Sequence, residues 1–116
     1  MTIKRLHVGP RMSEVAIHAG VVYLAGQVAN DPKLDITGQT QQVLAAVDRL
    51  LGEAGSDKTR ILQATIFLRT MDDFSAMNAV WDQWVVAGQT PPRATVEAKL
   101  ATPDYLVEVK VIAAQA

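Results

Sequence analysis

The sequence predicts an α+β fold in which about six strands form one sheet and two helices pack on one of its faces. Three observations predict it. Segments that alternate apolar and polar residues with a period of two occur early, in the middle and late in the chain. Two longer segments between them switch to the helical period. The resulting order is β-β-β-α-β-α-β-β, and helices separated by single strands suit a two-layer sandwich. A chain of 116 residues is long enough for one domain, residues 1–116, with a core of its own.

Residues 2–7 alternate weakly and read as an edge strand, broken by Gly9-Pro10. Val15 and Ile17 alternate with Glu14, Ala16 and His18, and Ala19-Gly20 turns the chain into the β-rich run 21–27 to make a hairpin. Gly26, near the end of that run, fits either a plain strand terminus or a close approach by another group. After a loop at 30–35, Val43, Leu44, Val47, Leu50, Leu51 and Ala54 fall at helical spacing. Gln39, Gln41, Gln42, Asp48, Arg49 and Glu53 are placed mostly opposite, and Gly55 is the expected C-terminal cap.

Leu62, Ala64, Ile66 and Leu68 then alternate with Gln63, Thr65, Phe67 and Arg69 as the clearest strand. Asp72-Asp73 is the expected start of the second helix, where carboxylates meet the positive end of the helix dipole. Phe74, Met77, Trp81, Trp84 and Val85 form its apolar stripe, with Gly88 as its end. Asn78 lies on the flank of that stripe, where a half-buried amide must find partners; nearby backbone is the plain reading.

Pro91-Pro92 gives a stiff, extended lead-in to the next run. There Ala94, Val96, Ala98 and Leu100 share one face, and Arg93, Thr95, Glu97 and Lys99 share the other. A second run, 105–111, follows Thr102-Pro103-Asp104, and the two read as a hairpin with Glu97 opposite Lys110 and Lys99 opposite Glu108. The sheet face away from the helices is expected to carry Thr65, Phe67, Thr95 and Glu97. That set is too mixed for a second core and too apolar in places for open water, so a symmetric oligomer is expected to cover it.

Composition narrows the function. Hydrophobic residues make up 49% and charged residues 20% of the chain, as in soluble globular proteins. With 11 Lys+Arg against 12 Asp+Glu the net charge is −1, which provides no basic excess for nucleic acid. No apolar run is long enough to span a membrane and no secretory signal is visible, so a cytoplasmic location is the default. The absence of cysteine excludes disulfides, thiol nucleophiles and thiolate metal sites. No glycine-rich phosphate loop, metal-spaced histidine cluster or serine triad is present, and His7 and His18 read as strand-surface residues.

Arg93 and Glu108 are the candidates for chemistry. A guanidinium binds a carboxylate bidentately and keeps its charge, and a glutamate positions water or moves a proton. The plainer alternative is a surface hairpin whose charges pair across strands. In the hairpin register Arg93 and Glu108 lie roughly 20 Å apart along the ladder, at about 3.3 Å per residue. One hairpin is therefore a poor active site, whereas Arg93 of one chain and Glu108 of a neighbour suit a shared cleft.

Pro92-Arg93-Ala94-Thr95-Val96, Leu100 and Val107-Glu108-Val109 resemble the signature of the RidA family (YjgF/YER057c/UK114). The likeness extends to Gly9-Pro10, residues 21–27, Asp73-Phe74 with Met77-Asn78, and Ala113-Ala114. It is closest to the short YoaB-like members at residues 65–68 and 81–88. The resemblance implies a chorismate-mutase-like fold and a homotrimer with ligand clefts between subunits. It also implies hydrolysis of enamines and imines such as 2-aminoacrylate to a 2-oxo acid and ammonia, without metal or organic cofactor. In that scheme Arg93 clamps the substrate carboxylate, Glu108 positions water or relays a proton, and Ala25, Gly26, Asn78 and Thr95 line the cleft. The chain departs from the family pattern where Arg11 stands for a common tyrosine, Ala25 for a serine and Thr95 for a cysteine. Arg11 brings a second positive charge toward the cleft. A trimer of this fold that holds a small carboxylate without turnover is the alternative.

Overall fold

A computed structural model describes residues 2–116. Period-two apolar positions build a six-stranded sheet from β1 (Lys4–Val8), β2 (Ser13–His18), β3 (Val21–Leu24), β4 (Ile61–Leu68), β5 (Arg93–Glu97) and β6 (Val107–Ala114). Helical-period positions build α1 (Ile36–Glu53) and α2 (Phe74–Trp84). The α+β architecture, the two helices and the element order are those read from the sequence.

The strand order is β1-β2-β3-β6-β4-β5. β1, β2 and β3 form an antiparallel meander, β6 runs antiparallel between β3 and β4, and β5 lies parallel to β4 at the edge. The expected hairpin of the last two strands is therefore absent. β4, α2 and β5 form one crossover unit, and a crossover helix returns the chain parallel to the strand it left. β5 ends at Glu97, and residues 98–106 pass across the end of β4 to reach β6. Glu97 and Lys99 therefore have no ladder with Lys110 and Glu108; Glu97 instead accepts from the Met71 N–H of the turn before α2.

Val15, Ile17, Val22, Leu24, Ala64, Ile66, Leu68 and alternate residues of β6 from Val107 to Ala113 bury one sheet face beneath the apolar stripe of α1 and Met77 and Trp81 of α2. The other face carries Tyr23, Thr65, Phe67, Val96, Glu108 and Ile112, and no layer of the described residues covers it. The fold is accordingly a slab about 20 Å through its thinnest dimension. Thr95 and Glu97, expected on this bare face, lie on the helix face, because Thr95 pairs with Ile66 and Glu97 with Leu68 in a parallel ladder whose partners share a side.

Smaller differences have local causes. Leu62 is 50% exposed because the β4–β6 register shifts between Ile61 and Gln63. α2 follows a 3₁₀ turn, Met71–Asp73, that Thr70 caps by accepting from Asp72 N–H, and Asp73 makes no side-chain cap. α2 ends at Trp84, four residues before Gly88, which serves the following turn at φ 79°. Gly55 follows α1 at φ 78°, as its capping place requires. Gln39, assigned to the polar side of α1, is fully buried. Its amide donates to the carbonyls of Pro32, Leu34 and Asp104 and accepts from Leu106 N–H, so one side chain ties two loops to the helix. Among the described residues no helix is long and apolar enough to cross a membrane.

Candidate functional site

β5 is short and lies at the sheet edge, so its helix-side residues project toward α2 near open solvent. Arg93 opens the strand after Pro91-Pro92, and its Cζ sits 5.2 Å from the Trp81 ring centre and 6.0 Å from that of Phe74. Phe74 and Trp81 are seven residues apart, two turns of α2, and thus share its β5-facing side. Partial burial pulls the guanidinium below its ordinary pKa range, while Asp82 draws it back up. Among the described residues Arg93 has no hydrogen-bond or ion-pair partner; their single ion pair joins His7 and Glu53, at the surface. Arg93 is thus a planar fork of five donors, braced on two rings and bonded to no protein atom.

Asn78 lies between Phe74 and Trp81 along the same side of α2, and Thr95 follows Arg93 on the same side of β5. Asn78 Oδ1 and Thr95 Oγ1 are both buried without a hydrogen-bond partner. The backbone partner expected for the Asn78 carbonyl is not there. Buried polar atoms are nearly always satisfied, so two orphans on facing elements beside a free guanidinium make this flank of α2 and β5 the candidate site.

Glu108 belongs to the other side of the sheet. It pairs with Phe67 on β6–β4, and its carboxylate lies over Gly26, where an added Cβ would come 2.8 Å from Glu108 Cδ. Gly26 is therefore the close-approach residue and not merely a strand end. Ala25 precedes it, with its N–H bonded to Glu14 O, and Gln27 makes an isolated bridge with Val109 beyond β3. Arg93 pairs with Ala64 and Glu108 with Phe67, so the two Cα positions are three residues and two strand spacings apart, roughly 14 Å. The 20 Å hairpin separation is replaced by this shorter one, but the side chains point to opposite faces. Arg11 is farther still, exposed in the β1–β2 turn closed by Gly9 N–H to Met12 O, at the opposite sheet edge from β5.

One chain thus brings together Arg93, Thr95 and Asn78 on the helix side, and Ala25, Gly26 and Glu108 on the bare side, with Arg11 apart from both. A groove of about 650 Å³ between α1 and the 27–30 loop, lined by Asn30, Gln42, Arg49 and Tyr105 among others, holds neither Arg93 nor Glu108. The aromatic pair under Arg93 was read from the sequence only as core; the cue was Phe74 and Trp81 at heptad spacing on the helix that leads into Pro-Pro-Arg.

Comparison with known proteins identifies the family and the fold. The family model described as Endoribonuclease L-PSP matches residues 2–115. The RutC family protein YoaB of Escherichia coli is 47% identical over 114 residues, covering 98% of this chain and 99% of that one. A RutC family protein of Haemophilus ducreyi is 48% identical over 112 residues, covering 97% and 96% of the two chains. The crystal structure of NMB1025, a YjgF family member from Neisseria meningitidis, superposes with a TM-score of 0.97 at 46% identity, over all of this chain and 97% of the other. The fold is accordingly the chorismate-mutase-like one that the resemblance implied. With its edge-strand arginine and bare-face glutamate set in that fold, the chain belongs to the RidA (YjgF/YER057c/UK114) family.

Proposed function

We propose that the chain is a hydrolytic deaminase of small enamine and imine acids of the 2-aminoacrylate type, with clefts between the subunits of a homotrimer. The observation that carries this reading is Arg93: a half-buried guanidinium braced on two rings with every donor left for a ligand. Its fork takes the substrate carboxylate bidentately. Glu108, held over Gly26, accepts a proton from water as the oxygen bonds to C2 of the imine. As the C2–O bond forms, the C=N π pair moves to nitrogen, which takes the proton from Glu108 to give a carbinolamine. Transfer of the remaining hydroxyl proton to nitrogen, again through Glu108, then breaks the C–N bond, and ammonia leaves as the carbonyl of the 2-oxo acid forms. An enamine enters the same sequence after a proton adds to C3.

Because Arg93 and Glu108 face opposite sides of one sheet, the pair suits a cleft walled by two copies. The bare face with Tyr23, Phe67, Val96 and Ile112 supports such packing. In that assembly Arg93, Thr95 and Asn78 form one wall, and Ala25, Gly26 and Glu108 of a neighbour form the other. Net charge −1 offers no general attraction for a nucleic acid, so the ribonuclease description of the family model gains no support from electrostatics. A cytoplasmic site of action fits a cysteine-free chain.

The test generates 2-aminoacrylate in situ and follows ammonia and pyruvate release with wild type and Arg93→Ala. Wild type accelerates release and the variant does not. Equal acceleration by both proteins removes Arg93 from the role assigned here. No acceleration by wild type, across imines of several side chains, leaves a carboxylate-binding protein of the same fold. Glu108→Gln retains 2-oxo acid binding and loses turnover if its role is proton handling.

A further inference from the structure

Arg93 does not rest on a single ring but at the end of a braced series. Trp84 Nε1 donates to Asp48 Oδ2 of α1 at 2.9 Å, and Lys58 Nζ lies 5.3 Å from the centre of the Trp84 ring. Trp84 in turn packs against Trp81, with ring centres 5.3 Å apart and planes tilted by 49°. Trp81 is 5% exposed, so its ring is fixed by packing on several sides, and Arg93 lies over it. Phe74, two turns back and 40% exposed, presents a second ring whose centre is 6.0 Å from the guanidinium carbon.

An unpaired arginine at a strand edge ordinarily samples many rotamers, and a ligand that needs its fork must stop that motion at an entropic cost. Aromatic faces attract the cation and define the plane in which it lies without consuming any of its N–H donors. The five donors remain free while the orientation is already set.

We infer that Trp81 is a positioning residue for the carboxylate clamp, seconded by Phe74: the two rings pre-set the plane of the Arg93 guanidinium, and affinity for a planar carboxylate depends on them although neither ring bonds the ligand. The inference rests on the clamp role given to Arg93 above, and adds that helix α2 tunes it. A carboxylate loses affinity when the rings are removed, whereas a ligand of the same shape without the charge does not.

The experiment titrates wild type, Trp81→Phe, Trp81→Leu, Phe74→Leu and Arg93→Ala with pyruvate and with pyruvamide, followed by NMR. Trp81→Leu weakens pyruvate binding about three- to tenfold and Phe74→Leu about twofold, while Trp81→Phe, which keeps a π face, stays close to wild type. Pyruvamide binding is unchanged in all three. With an imine acid as substrate, the leucine variants raise KM and leave kcat near wild type, as loss of uniform binding does. Phe74 is partly exposed, so its leucine variant keeps the test alive if Trp81→Leu does not fold. Should both leucine variants bind pyruvate as wild type does while Arg93→Ala does not, the positioning role is wrong and the clamp stands. Should Arg93→Ala bind pyruvate as tightly as wild type, the clamp itself is wrong. Equal weakening toward pyruvate and pyruvamide also overturns the inference, since it marks a general collapse of the cleft.

Discussion

Arg69, one residue past β4, donates through Nε to Tyr105 O at 2.9 Å and through a terminal nitrogen to Thr102 O. Arg93, on the adjacent strand and at the other end of the ladder, rests on Phe74 and Trp81 and donates to no protein atom among the described residues. Both guanidiniums are partly buried, and both follow apolar strand residues or prolines that hold their backbones still. Their difference lies in what their donors do. Arg69 uses them on carbonyls of the 98–106 loop, which needs an anchor because it crosses a strand end without forming a ladder. Arg93 has its plane fixed by rings and its donors unused. A charge engaged with backbone maintains a fold; a charge braced but unpaired is available to a ligand.

Exchange of each arginine for alanine is the strongest way to break this comparison. Arg93→Ala is expected to lower kcat/KM for an imine acid about a hundredfold or more, since two charge-assisted hydrogen bonds are lost. Its unfolding free energy should change by less than about 1 kcal/mol, the size of an exposed cation–π contact. Urea unfolding beside the kinetic assay checks both. Arg69→Ala should show the reverse: a loss of about 1–3 kcal/mol in urea, with kcat/KM within about threefold while the protein stays folded. A much larger kinetic loss in Arg69→Ala would mean that the 98–106 loop is itself part of the cleft.

Gly26→Ala sharpens the contrast from the bare face. The new Cβ displaces the end of the flexible Glu108 side chain and not any backbone, so the fold survives while the carboxylate moves. A fall of about tenfold in kcat with little change in pyruvate affinity is expected, comparable to misplacing a general base. Asp82→Asn carries the smallest effect. Removing the charge that draws on Arg93 leaves the guanidinium freer for a ligand, so pyruvate should bind about twofold more tightly at low salt, and the gain should fade as salt rises.

Much of the fold was legible. Alternation at Val15 and Ile17, at Ala64, Ile66 and Leu68, and at Val107, Val109 and Val111 assigns strands and their buried sides, because a pleat sends successive side chains to opposite faces. The stripes of α1 and α2 were readable for the same kind of reason. Arg93 could be singled out as a charge held behind the stiff Pro91-Pro92 lead-in, and Glu108 as a carboxylate on an extended run. Gln39 could not be identified as buried, because its amide is satisfied by residues as distant in sequence as Asp104 and Leu106.

By itself the sequence determined which residues lie in strands, which in helices, and which residues of each share a side, since these follow from local periodicity; which sheet face the Arg93, Thr95 and Glu97 side of β5 joins was not among them. Tertiary structure alone decided which strands pair. Two alternating runs separated by a short polar stretch look alike whether they close a hairpin or belong to different parts of the sheet. Only the route of α2 over β4 makes β5 parallel and leaves its former partner between β3 and β4. That one pairing sets Thr95 beside Arg93 on the helix side, sends Glu108 to the bare side over Gly26, and leaves Asn78 Oδ1 and Thr95 Oγ1 without partners. Periodicity acts over a few residues, whereas a site assembled from α2, β5 and β6 depends on contacts that only the folded chain creates.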